Sequence, residues 1–176
     1  MAEPEALPLR EFVRDVPDFP KPGILFRDIT PLLEDAAAFR RAVEALAAPF
    51  RDEVVDKVLG IESRGFILGA PVALELGAGF VPVRKKGKLP HETLAVRYEL
   101  EYGTDEVEMH ADGVKRGERV LVVDDLIATG GTAAASVRLA RAAGGEVLGC
   151  AFLIELSELR GLDRLDVDRA HVVLRY

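Results

Sequence analysis

Cysteine is nearly absent from this sequence. Cys150 stands alone among 176 residues, so neither an internal disulfide nor a cysteine-based zinc site can form within the chain. A bilayer-spanning run is missing too. The longest uncharged stretches, such as Gly65 to Leu74, fall well short of the roughly 20 apolar residues a membrane helix needs. Positive charge is in deficit: the formal net charge is −7, and an acidic surface repels the polyanions of nucleic acid and of anionic membranes. That deficit leaves room for a small anionic ligand, which needs only a few local cations. The first residues, Met1 to Ala6, are acidic and interrupted by Pro4, where a secretory leader would be basic and then apolar. One thiol and no leader set the expectation of a reducing, cytoplasmic location. Repeats and low-complexity tracts are absent as well. At 49% hydrophobic and 30% charged residues the chain is too apolar for disorder, and its length suits one core, a single domain over residues 1–176.

Several segments carry clear local instructions. Val16 to Gly23 holds three prolines and a glycine, which forbid regular structure and fix a loop that presents Ile24, Leu25 and Phe26. Thr30-Pro31 reads as a helix cap and first turn. Behind it Leu32, Ala36, Phe39, Val43, Leu46 and Phe50 recur at the spacing of one helical face. The period then changes. Val58 to Ile61 is a buried strand, Phe66 to Leu76 a helix, and Gly79 to Val83 a further strand whose Pro82 marks an edge position. Val120 to Val123, Thr132 to Ala143 and Val147 to Ile154 repeat the strand–helix–strand order. Alternating elements with fully apolar strands predict an α/β fold, a mainly parallel twisted sheet with helices on both faces. Between the two units, Leu94, Val96, Tyr98 and Leu100 alternate on one face, then Gly103-Thr104, then Val107 and Met109. This texture predicts an antiparallel hairpin, at about residues 85–110, that either covers a site as a flap or is an ordinary surface excursion.

The most informative run is Val120-Leu121-Val122-Val123-Asp124-Asp125-Leu126-Ile127-Ala128-Thr129-Gly130-Gly131-Thr132. A buried strand delivers two carboxylates to its carboxyl end, and a glycine-containing loop with two threonines opens a helix. Ligands of open α/β sheets bind outside the carboxyl ends of strands, and a helix amino terminus there offers unpaired amides to an anion. Glycines let the backbone close around a phosphate, and threonine hydroxyls donate further bonds. Two acids beside a phosphate repel it unless they accept from hydroxyls or help hold a divalent cation. A phosphorylated sugar with vicinal hydroxyls meets that demand. One acid would suffice for simple helix capping. Rival phosphate motifs fail: no Gly-x-x-x-x-Gly-Lys-Ser/Thr occurs, and no Gly-x-Gly-x-x-Gly follows a strand.

This run resembles the signature of the type I phosphoribosyltransferases at all thirteen positions. Phe19 to Ile29, Glu62 to Phe66, Arg84 to Pro90 and Leu100 to Gly103 resemble the adenine-specific branch of that family, in its order. The resemblance implies the family's fold with a flap hairpin and a small hood formed, with an amino-terminal helix, by about residues 1–30. It implies transfer of a phosphoribosyl group from 5-phosphoribosyl 1-pyrophosphate to adenine, with Mg2+ bound mainly through substrate and water and no direct protein ligand. By the same resemblance Ala128, Thr129, Gly130, Gly131 and Thr132 cradle the 5-phosphate while Asp124 and Asp125 engage the ribose hydroxyls. Glu62, Ser63 and Arg64 meet the pyrophosphate, around a peptide bond the family often holds cis, and Arg84, Lys85, Lys88 and Tyr102 add to that subsite. Phe26 stacks on the purine, backbone groups of Leu25 and Arg27 read its edge, and Ile127 borders it. A 6-oxopurine presents the opposite hydrogen-bonding pattern and would leave buried groups unpaired. Arg64 and Glu101 are the candidate catalytic residues, Arg64 on the departing pyrophosphate and Glu101 on the proton of the incoming purine or the cationic anomeric centre. The family is usually a homodimer. Two readings stand beside this one: a 6-oxopurine or orotate transferase, and a non-catalytic regulator that senses the sugar diphosphate. The −7 charge leaves little room for the nucleic-acid surface such regulators carry.

Overall fold

The computed structural model of the chain describes residues 8–100 and 103–176. Of the amino-terminal helix expected before the hood, the described part is a single 3-10 turn, Leu9–Phe12. Two short strands, β1 (Arg14–Pro17) and β2 (Leu25–Asp28), pair antiparallel with Val16 opposite Phe26. The proline loop between them, with a cis Phe19–Pro20 bond, leaves Phe19, Ile24 and Leu25 exposed.

Seven further strands form one sheet: β3 (Lys57–Ile61), β4 (Gly79–Lys85), β5 (Thr93–Leu100), β6 (Gly103–His110), β7 (Arg119–Ile127), β8 (Glu146–Glu155) and β9 (Ala170–Arg175). Their order is β5-β6-β4-β3-β7-β8-β9, parallel from β4 to β9 and antiparallel through β5 and β6. Val120 to Val123 and Cys150 to Ile154 are completely buried, as central parallel strands covered on both faces must be. Four helices supply the cover: α1 (Thr30–Glu34), α2 (Ala36–Ala47), α3 (Arg64–Glu75) and α4 (Gly131–Ala142). Leu32, Leu46, Leu68 and Val72 from the first three pack with Leu121 and Val123 of β7. Ala135, Leu139 and Ala140 of α4 pack with Val120 and Val122 on the opposite face. The alternation along β7 is the two-residue period of a strand sharing itself between two cores. Cys150 lies in the second core, where burial pushes its thiol up to about 12, so it stays an un-ionised apolar side chain.

The long helical face expected from Leu32 to Phe50 is two helices and a 3-10 turn. Asp35 is extended between α1 and α2, and its carboxylate accepts from Ala37 N at 3.0 Å and Ala38 N at 2.8 Å. A carboxylate that satisfies two orphan amides makes a better cap than a helix interior. Thr30 is likewise helical and does not cap; Asp28 Oδ1 accepts from its amide at 2.9 Å and its hydroxyl at 2.6 Å. Asp35→Ala is expected to cost about 1 kcal/mol, read in thermal unfolding as a melting point lower by about 2–4 °C.

Pro82 does sit on an edge. Val83 C=O accepts from Glu62 N at 2.9 Å, so its neighbour Pro82 faces away from β3, and β6 joins β4 only from Arg84 onward. The hairpin keeps the predicted alternation, with Leu94 opposite Met109 and Val96 opposite Val107. It is bonded into the sheet edge and rests against α4. Its connecting residues 101–102 lie outside the described residues. No helix among the described residues is long and apolar enough to cross a membrane.

Candidate active site

β3 has β4 on one side and β7 on the other, both parallel to it. The chain leaving β3 and the chain leaving β7 therefore emerge side by side at the carboxyl end of the sheet, where the crossovers diverge and ligands bind. Residues Glu62 to Arg64 follow β3, and residues Ala128 to Gly131 follow β7.

The loop after β7 is built for an anion. Gly130 has φ +80°, a left-handed turn that favours glycine, and it starts the three-turn helix α4. Among the described residues the amide N–H groups of Thr129, Gly130, Gly131, Thr132 and Ala133 have no acceptor. They surround a cavity of about 120 Å3 that Asp124 also lines. Unpartnered amides at the positive end of a helix dipole bind phosphate.

The two acids lie within β7, which continues to Ile127. Asp124 Oδ1 accepts from the Asp125 amide at 2.8 Å. Burial, and then the neighbouring Asp125 carboxylate, hold the Asp124 carboxyl well above the usual carboxylate range. Asp125 faces Arg64, whose Nε lies 2.9 Å from Asp125 Oδ2. The N–H is not directed at that oxygen, which is buried and accepts no hydrogen bond, so the contact is an ion pair only. The Arg64 guanidinium also lies 4.9 Å from the centre of the Phe26 ring. One cation thus bridges the acids of β7 and the aromatic of the hood.

The Glu62–Ser63 peptide bond is cis. Glu62 is held on both oxygens, by Arg84 Nε at 3.0 Å and Lys88 Nζ at 2.5 Å. Burial opposes its charge, but these two donors outweigh it and keep the carboxyl below its usual range. Lys85 is not with them. Its ammonium lies 3.0 Å from Asp105, which pushes the lysine above its ordinary value and pulls the aspartate below.

Beyond Asp105 runs a chain of bonds unforeseen in the sequence. Tyr98 OH donates to Asp105 at 3.3 Å and accepts from Thr132 Oγ1 at 3.1 Å, so the hairpin is pinned to the start of α4. Alternation sets Tyr98 on one face of the hairpin with Leu94 and Val96, but no spacing could pair it with Thr132. Leu25 is exposed, Arg27 pairs with Asp15 and stacks on the Tyr176 ring at 4.1 Å, and Ile127 borders the loop cavity while only 2% exposed. Glu101 and Tyr102 lie outside the described residues.

Comparison with known proteins is consistent along the chain. The family model of the phosphoribosyl transferase domain matches residues 32–173. An adenine phosphoribosyltransferase of Myxococcus xanthus is 58% identical over 164 residues, 93% of this chain and 89% of that one. One of a Bradyrhizobium strain is 60% identical over 159 residues, 90% of this chain and 89% of its own. Among solved structures, the adenine phosphoribosyltransferase of Rhodothermus marinus superimposes with a TM-score of 0.93 at 58% identity, covering 97% of this chain and 98% of that one. The Saccharomyces cerevisiae enzyme, solved with an imino-altritol bisphosphate and adenine, does so with a TM-score of 0.90 at 39% identity, covering 96% and 98%. With such identity along nearly the whole length, this chain belongs to the adenine phosphoribosyltransferase family.

Proposed function

We infer that the chain works in purine salvage, transferring the 5-phosphoribosyl group of 5-phosphoribosyl 1-pyrophosphate to adenine and releasing AMP and pyrophosphate. The observation that carries this reading is the loop after β7, with five amides unpartnered among the described residues beside two acids. In the reaction a purine ring nitrogen bonds to the anomeric carbon, the carbon–oxygen bond to pyrophosphate breaks, and the ring nitrogen passes its proton to a base, for which Glu101 is the candidate. Amides 129–133 would hold the 5-phosphate, and Asp124 and Asp125 the ribose hydroxyls. Arg64 then stands between the diol and the leaving group, with Arg84 and Lys88 beyond it at Glu62. Lys85, expected with them at the pyrophosphate, is tied to Asp105 instead. Phe26, already under the Arg64 guanidinium, would stack on the base.

Arg64, Arg84 and Lys88 would face the diphosphate that carries magnesium, and the ion, when bound, would supply neutralisation of the leaving group's charge. Asp125, whose Oδ2 is already paired with Arg64, would meet this ion only through bound water, as suits a hard carboxylate donor. A cytoplasmic homodimer accompanies this reading. Exposed Ile67 and Leu74 on α3, Leu74 at 82%, provide an apolar face for a second copy.

Mixing the protein, magnesium and the sugar diphosphate separately with adenine, hypoxanthine and guanine tests the reading: AMP should form and the other two nucleotides should not. Glu101→Gln is expected to lower turnover far more than substrate affinity, measured as kcat against KM. An unchanged turnover removes Glu101 from the chemistry.

A further inference from the structure

Between β8 and β9 the chain carries no recognisable motif, yet it touches the phosphate loop. Leu156 N donates to Ile127 O at 3.0 Å where the two strands end. The chain then turns through Arg160, a non-glycine residue at φ +51° whose guanidinium is held by Asp163 at 2.7 Å. Leu162 and Leu165 follow and pack against the core layer of α4. This folding drives Gly161 onto the loop. A Cβ on Gly161 would overlap Ala128 O and lie 2.9 Å from both Gly130 N and Ile127 Cγ1. Conversely, a Cβ on Gly130 would overlap Gly161 O and lie 3.0 Å from its carbonyl carbon. Two glycines meet backbone to backbone, with no flexible side chain between them to give way.

We propose that Gly161 is a positioning residue for the 5-phosphate site: its bare Cα sets where the Ala128–Gly130 loop lies, and so where the loop's free amides point. The inference rests on the phosphoribosyl reading above and deepens it. Gly161 itself has no left-handed φ, so alanine is locally permitted and the only obstacle is space. Two of the three atoms a methyl would meet are main-chain atoms of the loop, so the loop must move. The pyrophosphate subsite lies on other elements, after β3 and along β4, and should not feel it.

The test is to titrate ribose 5-phosphate and pyrophosphate separately into wild-type and Gly161→Ala protein by calorimetry. Ribose 5-phosphate should bind about tenfold more weakly or worse, with pyrophosphate affinity unchanged. In turnover, KM for the sugar diphosphate should rise and KM for adenine should not. Unchanged ribose 5-phosphate binding by a folded variant overturns the proposal, and so does an equal loss of both ligands, which marks general disruption. Should the variant not fold, Leu162→Ala loosens the same turn without adding a methyl; a smaller loss confined to ribose 5-phosphate supports the proposal, and unchanged binding overturns it. A wild-type protein that binds ribose 5-phosphate but forms no AMP from adenine counts against the transferase reading and leaves this comparison standing.

Discussion

Asp124→Asn should lower kcat/KM for 5-phosphoribosyl 1-pyrophosphate by roughly 10- to 150-fold, the loss of one or more charge-assisted hydrogen bonds to the ribose diol, while making the protein harder to melt. The two effects have one cause. The Asp124 carboxyl is held well above the usual carboxylate range, first by burial and then by the Asp125 charge. The folded chain therefore retains a proton there that the unfolded chain has released, and stability falls as pH rises from the ordinary carboxylate value through the raised one. Above that interval the native state carries a charge that its surroundings disfavour. Asparagine removes the charge and can still accept from the Asp125 amide through its oxygen. Its melting point at neutral pH should exceed that of the wild type by about 2–4 °C for each kcal/mol relieved, and the gap should close in acid. The wild-type rate should also decline on the acid side as Asp124 takes up its proton, a limb that the variant lacks. A variant less stable than wild type at neutral pH would show that Asp124 is a structural carboxylate. Functional sites that hold strained charge commonly exchange stability for activity in this way.

The second large effect is expected from Gly65→Ala. The first turn of α3 passes so close to β7 that a Cβ on Gly65 would lie 2.6 Å from Asp124 Oδ1 and 3.3 Å from Asp124 Cα. The carboxylate can swing, but the main chain beneath it cannot, and Arg64 is the adjacent residue. A displacement of about 1 Å in either group is worth on the order of a hundredfold in kcat/KM. Stability should change much less, because alanine is favoured over glycine in a helix, by up to about 1 kcal/mol and by less in a first turn, and offsets part of the crowding. Kinetics and a melting curve on the same preparation separate the two. Wild-type kcat/KM in this variant would mean that the placement of Asp124 is not critical.

Much of this could be read from residue order, for a physical reason. Val120 to Val123 is apolar because the strand is buried on both faces, and the residues after it are the ones proposed to meet a phosphate and a diol, so both pressures would leave a contiguous trace. The hairpin alternation of Leu94, Val96, Val107 and Met109 is equally local. What escaped was long-range or competitive. Asp35 breaks a helix whose apolar spacing continues through it, because a two-amide cap outweighs continuity. Lys85 sits among the cations of Arg84 and Lys88, yet strand alternation sends it to Asp105 while they converge on Glu62. Tyr98 meets Thr132, and Gly161 meets Gly130, across 34 and 31 positions of sequence. No periodicity encodes such meetings.

The double hold on Glu62 has a consequence for which anions this enzyme admits. Two of the cations proposed for the leaving-group subsite, Arg84 and Lys88, already share one carboxylate of the chain itself, which offsets one of their two charges. An incoming anion must outcompete that tethered rival. Chloride or acetate, carrying one charge, offers Arg84 and Lys88 no better electrostatic bargain than they already have. A diphosphate, with several charges spread over bridging oxygens, does. On the proposed reading the acidic residue would act as a partial threshold, one that favours a polyvalent anion over a monovalent one.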